Sequence, residues 1–271
     1  ATPGKLLSHL NMAYAKTDKI QHLILDEADR MLDMGFLDDI KKIINKLPKK
    51  RQTLMFSATM PPKIEALAKT ILNDPAQISI AISKPSESVF QGIYLCYDNQ
   101  KIPLINHLVS DENEYKSIIV FTSTKKKVNE IVRGLRSKNY RVEGISSDLE
   151  QSKREELMRD FRSNKIRLLV ATDVISRGVD VPNIDLVFNF DAPGNPEEYV
   201  HRIGRTGRAG AEGVALSLIN EQDMEKLADV EKLIEKKVYR APMPEFLGEG
   251  PEWKDRAPRG KKPYKKNFKK K

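Results

Sequence analysis

Short apolar runs alternate along this chain with stretches of helical periodicity, and several of the runs end abruptly in carboxylates or hydroxyls. The sharpest case is His22, Leu23, Ile24 and Leu25, followed at once by Asp26, Glu27, Ala28 and Asp29. An apolar run so bounded reads as a buried strand. The carboxylates then sit just past its carboxyl end, where open α/β sheets place their ligands. Three negative charges within four residues repel one another. One reading gathers them for a cation, and Mg²⁺, which takes one or two carboxylates plus phosphate oxygens, fits best. The other makes them the acidic first turn of the next helix, favoured by the helix dipole. On these residues alone both readings stay open.

The alternation continues downstream. Phe36, Leu37, Ile40, Ile43, Ile44 and Leu47 recur at helical spacing until Pro48. Residues 52–56 form a second strand ending in Ser57, Ala58 and Thr59. Pro61 and Pro62 start a helix whose core face is Ile64, Leu67, Ala68, Ile71 and Leu72, and residues 77–82 read as a third strand. Residues 83–88 are polar and aperiodic, which places a linker at 84–91. Six further strands follow, at 92–97, 117–121, 141–145, 167–171, 184–190 and 214–219, with helical patterns between them and a last helix at 224–234. Such alternation implies parallel sheets with helices on both faces. A second domain over 92–240 is then complete. The first, over 1–83, has about three strands, too few for an ordinary doubly wound sheet. The chain opens at Ala1 rather than Met, in a Thr2, Pro3, Gly4, Lys5 loop running straight into a helical pattern of Leu6, Leu7 and Leu10. Missing upstream sequence is therefore expected.

The net charge of +9 is unevenly spread. Residues 254–271 hold ten of the 47 basic residues and one of the 38 acidic ones, so the rest of the chain is neutral. Residues 241–271 are rich in Pro, Gly, Glu and then Lys, a composition that cannot bury enough apolar surface to fold alone, and are assigned to a basic disordered tail. Tyr264 and Phe268 lie among the lysines, which favours nucleic-acid contact over a merely solubilising role. No apolar run approaches the roughly 20 residues of a membrane span, and no export signal opens the chain. The single cysteine, Cys96, lies in an apolar stretch and reads as a small buried residue. A cytoplasmic protein with no membrane partner and no disulfide partner is expected.

The strand ends carry the chemistry. Ser57 and Thr59 follow one strand, Thr122, Ser123 and Thr124 another, and Thr172 and Asp173 a third. Any one of these is a helix cap, but several together describe a ligand edge. His201, Arg202, Gly204, Arg205, Gly207 and Arg208 fall within eight residues. A solvated basic loop is the ordinary reading of such a run. Guanidinium groups on a glycine-containing turn also suit phosphate recognition and the stabilisation of phosphoryl transfer.

Taken in order, Asp26 to Asp29, Ser57 to Thr59, residues 171–181 and residues 201–208 resemble the motifs of the DEAD-box ATP-dependent RNA helicases. Thr2, Pro3, Gly4 and Lys5 resemble the family's Thr-Pro-Gly-Arg motif, with Lys for Arg, and Gln151 with Arg154 its Gln-x-x-Arg motif. The resemblance covers roughly residues 1 to 220. It implies two RecA-like doubly wound parallel-sheet domains, the first incomplete, with ATP and Mg²⁺ as cofactors and RNA as partner. It also implies roles. Asp26 holds Mg²⁺ through its water shell, and Glu27 polarises the attacking water. Asp29, Ser57, Thr59 and His201 couple the two domains. Gly178 and Asp180 reach the nucleotide, and Arg205 and Arg208 act as arginine fingers. Thr2, Gly4, Lys5, Thr122, Gln151, Arg154, Thr172 and Asp173 hold the RNA sugar-phosphate backbone.

One departure matters. The family's Gly-x-x-x-x-Gly-Lys-Ser/Thr phosphate loop and its upstream glutamine motif are absent from these 271 residues. An amino-terminal truncation explains this, and little ATPase activity is expected of the chain alone. An RNA-binding module without catalysis is the alternative, and a DNA-directed relative a third reading.

Overall fold

The computed structural model describes residues 1–12, 14–79, 85–136, 141–146, 148–173, 184–207 and 211–254. The chain divides into two compact units, Ala1–Ile82 and Ser83–Lys271.

The first unit contains α1 (Pro3–Leu10), β1 (His22–Leu25), α2 (Ala28–Asp33), α3 (Leu37–Asn45), β2 (Gln52–Met55) and α4 (Pro62–Ile71). β1 and β2 pair in parallel, from His22 opposite Gln52 to Leu25 opposite Met55. Beyond the strands the Phe56 N–H donates to Leu25 O at 2.8 Å and the Ala28 N–H to Phe56 O at 3.0 Å. These two bonds bring the Asp26 and Ser57 stretches side by side. Ala28, Ile40 and Ile64 are at most 1 % exposed and form the small core. The strand expected over 77–82 does not form in its described part, residues 77–79, and Ile78 is 86 % exposed. A strand exists only against a hydrogen-bonded partner, and among the described residues the sheet of this unit has two strands. Residues 80–82 lie outside the described residues.

The second unit is a seven-stranded sheet, every pair parallel. Its strands are β3 (Val89–Leu95), β4 (Ile118–Thr122), β5 (Val142–Ile145), β6 (Leu168–Thr172), β7 (Leu186–Asn189), β8 (Gly213–Ile219) and β9 (Tyr239–Ala241), in the order β5-β6-β4-β7-β8-β3-β9. The helices are α5 (Asp98–Leu108), α6 (Lys125–Arg136), α7 (Gln151–Arg162), α8 (Pro196–Ile203) and α9 (Met224–Leu233). Alternate residues of a strand point to opposite faces. Ile119 and Phe121 of β4 accordingly join Phe161, Tyr199 and Leu227 from α7, α8 and α9. Ile118 and Val120 join Leu104, Ile131 and Leu135 from α5 and α6. This is the doubly wound arrangement, with every residue of β4, β6 and β7 buried.

Two boundaries move and one strand is added. β3 begins at Val89, so the linker placed at 84–91 stops short of it. Val89 is 5 % exposed and pairs with Gly213, and one core residue suffices to draw Phe90 and Gln91 into the ladder. β9 is a strand that periodicity could not show, since three residues carry no period. The tail assigned to 241–271 starts too early. Met243, Leu247 and Trp253 pack on the two cores, and the Gln100 amide donates to Leu247 O at 2.8 Å and Glu249 O at 3.1 Å. A Cβ on Gly250 would lie 1.8 Å from Leu95 O, so only glycine lets the segment approach. Composition misleads here because three apolar anchors, widely spaced among Pro and Gly, are enough to hold a strap against an existing core. Residues 255–271 lie outside the described residues. No helix among the described residues is long and apolar enough to cross a membrane.

Candidate functional site

The turn from β1 into α2 separates the three carboxylates. Glu27 takes φ 50° and ψ 49°, the left-handed region that costs a non-glycine residue roughly 1–2 kcal/mol. Such strain concentrates at functional sites. The Asp26 carboxylate is exposed and accepts the Glu27 N–H at 2.9 Å. Glu27 lies 3.8 Å from the Arg30 guanidinium. Asp29 points the other way. It is 7 % exposed, and its Oδ2 accepts the Thr59 hydroxyl at 2.9 Å and the Thr59 N–H at 3.0 Å. Its Oδ1 accepts the Arg30 N–H at 2.9 Å, and Ser57 Oγ accepts the Asp29 N–H at 3.1 Å. Burial alone would raise the Asp29 carboxyl, but the bonds from Thr59, Arg30 and Ser57 outweigh it and hold it below the usual carboxylate value.

The idea of three acids gathered on one cation is thereby corrected. They diverge, and no group of three or more His, Cys, Asp or Glu side chains among the described residues could hold a metal. Asp26 by itself still suits Mg²⁺, which keeps most of its waters and takes one carboxylate with phosphate oxygens. Thr2 occupies the N-cap position of α1, exposed and without a side-chain capping bond, with Lys5 exposed and Gly4 half-buried in the first turn.

In the second unit Thr122 ends β4 and is 0 % exposed. Its hydroxyl donates to Asp191 Oδ2 at 2.7 Å, which also accepts the Ser123 N–H at 3.0 Å and the Ser123 hydroxyl at 3.1 Å. Lys127 Nζ reaches Asp191 Oδ1 at 2.5 Å. Lys101, itself 0 % exposed, donates to Phe190 O at 2.8 Å and lies 3.2 Å from Asp98, 3.9 Å from Asp223 and 4.0 Å from Asp191. Asp173 forms a bidentate pair with buried Arg202 at 2.5 and 2.7 Å. The Thr122 hydroxyl is therefore turned inward, whereas Asp173 keeps 29 % of its side-chain surface exposed. Thr122 is sealed from solvent, and both Asp173 oxygens hold Arg202. Thr172 is 7 % exposed beside them. Gln151 is exposed at the start of α7, donating to Glu155 at 2.8 Å, and Arg154 is half-buried one turn on.

Asn195 caps α8 by accepting the Glu197 N–H at 3.1 Å, and the helix carries His201 and Arg202 in its last turn. Arg205 follows on the turn, its Nε donating to His201 O at 3.4 Å. Gly207 has φ 65°, and a Cβ there would lie 2.5 Å from Val89. Arg208, Gly178 and Asp180 lie outside the described residues. Nothing in the sequence marks Asp191 or Lys101. Arg202 stood inside the basic run, but nothing local distinguishes it from Arg205, and Lys101 reads as an ordinary helix lysine.

The Asp191 carboxyl would be raised by burial, but Lys127, Thr122 and Ser123 hold it down at about 2. Its contribution to stability is complete above the unfolded value of about 3.9 and is lost as pH falls through the folded value. We expect the difference in unfolding free energy between the chain and Asp191→Asn to narrow by roughly 2 kcal/mol between about pH 5 and pH 2. Denaturant titrations at each pH measure it, and a constant difference would remove Asp191 from the acid response. Cys96 is 0 % exposed, and burial pushes its thiol up to about 12.

Comparison with known proteins agrees with the geometry. Residues 1–67 match the DEAD/DEAH box helicase family and residues 100–210 the helicase conserved C-terminal domain. The chain is 43 % identical over 233 residues to the ATP-dependent RNA helicase CshA of Limosilactobacillus reuteri, covering 86 % of this chain and 47 % of that protein. It is 39 % identical over 244 residues to CshA of Geobacillus kaustophilus, covering 90 % and 52 %. The chain spans about half the length of these curated relatives. Among solved structures, S. cerevisiae Dbp5 bound to RNA and ADP BeF3 superposes with a TM-score of 0.80 at 30 % identity, over 89 % of this chain and 64 % of that one. The E. coli DEAD-box protein SrmB, bound to regulator of ribonuclease activity A, gives a TM-score of 0.56 at 34 % identity, over 63 % of this chain and 97 % of that one. With its motifs in order on a parallel α/β scaffold and with these matches, the chain belongs to the DEAD-box helicase family.

Proposed function

We propose that these residues serve an ATP-dependent RNA helicase that separates short duplexes locally through closure of its two units on ATP. The observation that carries this reading is the Asp29, Ser57 and Thr59 cluster, which ties the Asp-Glu-Ala-Asp turn to the Ser-Ala-Thr turn through three hydrogen bonds. Asp29 thereby fixes the turn, and the exposed Asp26 and the neighbouring Glu27 are left to face a nucleotide. Asp26 would hold Mg²⁺, which when bound offsets charge on phosphate oxygens. Glu27 would orient the attacking water. Gly178 and Asp180 would reach the nucleotide, and Arg205 and Arg208 would stabilise the charge that develops on the transferred phosphoryl group.

Thr2, Gly4, Lys5, Gln151, Arg154 and Thr172 would hold the RNA backbone, which carries little sequence information. Thr122 and Asp173 act in this scheme as supports behind that surface. His201 would couple the units. The lysine tail would add sequence-independent affinity. The 271 residues contain no phosphate loop and by themselves would bind ATP poorly.

Titrating a single-stranded RNA into the chain at several salt concentrations, with and without ATP and Mg²⁺, tests both levels. We expect log affinity to fall linearly with log salt, little ATP effect on the 271 residues, and an ATP effect once an upstream phosphate loop is supplied. Binding that stays indifferent to ATP in the extended protein supports an RNA-binding module without catalysis instead.

A further inference from the structure

The edge of the second sheet where its strands begin lies opposite the motif-bearing edge, and it holds a groove of about 830 Å³. Phe90 and Tyr239 stand in it 54 % and 57 % exposed, their ring centroids 6.2 Å apart, with the buried Val238 beside them. Glu87, Glu114 and Glu212, all exposed, line it together with half-buried Asp185. Two lysines also line it. Lys237 is drawn to the buried Glu231 at 2.6 Å, and Lys236 is exposed. Asp185 accepts the Lys116 and Ser117 N–H groups at 2.8 and 3.0 Å. The three glutamates are therefore the main charge that the groove offers a ligand, and the two exposed rings are its apolar floor. Among the described residues, none of those proposed to meet ATP or RNA lines it.

We infer that this groove is a docking surface for the chain's own lysine-rich end, residues 255–271. Charge is the first reason. Nine of those 17 residues are Lys or Arg against one Asp. Ring chemistry is the second. Tyr264 and Phe268 are spaced among the lysines, so one segment brings cations for the glutamates and rings for Phe90 and Tyr239. Reach is the third. Lys254 is fixed at the start of α9, its N–H donating to Met224 Sδ at 3.5 Å and its Nζ lying 3.6 Å from Glu221. The groove is walled by Lys236, Lys237 and Tyr239, just beyond the far end of α9. A ten-residue helix spans about 15 Å, whereas 17 extended residues reach about 56–60 Å. The segment can return along α9 with most of its length left to lie in the groove.

Exposed ion pairs are individually weak and screened by salt. The docked state is therefore held by several such pairs in parallel and yields to a polyanion. A tail parked on the acidic groove is withheld from non-specific contacts until RNA competes for it. This inference stands whether or not the chain hydrolyses ATP.

Zero-length carbodiimide crosslinking of the purified 271-residue chain, followed by peptide mapping of the monomer, tests it. We expect crosslinks from lysines 261–271 to Glu87, Glu114 or Glu212. They should fall at least about five-fold in the triple variant E87Q/E114Q/E212Q, and likewise in about 0.5 M salt or with excess RNA oligonucleotide. These glutamates are exposed, so the variant keeps its fold, and circular dichroism checks that. Tail crosslinks confined to other carboxylates, found only between copies, unchanged in the triple variant, or absent altogether would overturn the proposal.

Discussion

Arg205→Ala is expected to lower the RNA-stimulated hydrolysis rate by about 10³-fold, close to 4 kcal/mol, wherever these residues stand in a protein with its phosphate loop. Arg205 lies on the turn after α8, half-buried, with its Nε on the His201 carbonyl. A guanidinium so placed costs little to reorganise when charge builds on a phosphoryl group. The variant should unfold within about 1 kcal/mol of the parent, because the side chain is not part of the core. Single-turnover hydrolysis and a denaturant titration on the same preparation separate the two effects. A rate loss below about ten-fold with folding unchanged would remove Arg205 from the finger role.

Arg202→Met should fail in the opposite way. Arg202 is 0 % exposed, pairs bidentately with Asp173, donates to Asp191 O at 2.8 Å and to Asn189 Oδ1 at 3.3 Å, and lies over the Phe121 ring at 5.5 Å. Removing one partner of a buried pair leaves the other uncompensated, at a cost of roughly 3–5 kcal/mol. Asp173 keeps 29 % of its side-chain surface exposed, so water relieves part of that cost and the lower end is expected. At about 2–4 °C per kcal/mol for a unit of this size, the melting temperature should fall by about 10 °C. The double variant Arg202→Met, Asp173→Asn should recover part of the loss. A single variant that loses less than about 1 kcal/mol would show the pair to be dispensable.

The two arginines stand three residues apart in one basic run, and no local pattern tells them apart. What separates them is α8, which turns Arg202 under the sheet edge and leaves Arg205 on the turn. The acidic stretch behaves likewise. Asp26, Glu27 and Asp29 read as one cluster, yet the left-handed turn at Glu27 sends Asp29 to Thr59, 30 residues away.

Residue order by itself determined the parallel α/β character, because β4 and β6 are buried on both faces and must be continuously apolar. It also determined the family motifs, since each is a local word. The tertiary structure alone decided the strand order, the short edge strand β9, the strap through Gly250, and the pairings of Thr122 with Asp191 and of Lys101 with Phe190, 69 and 89 residues apart. The physical reason is one of range. Periodicity and propensity act over a few residues along the chain. A buried hydrogen bond is chosen by which strand ends the sheet sets side by side, and residue order does not display that until the sheet has formed.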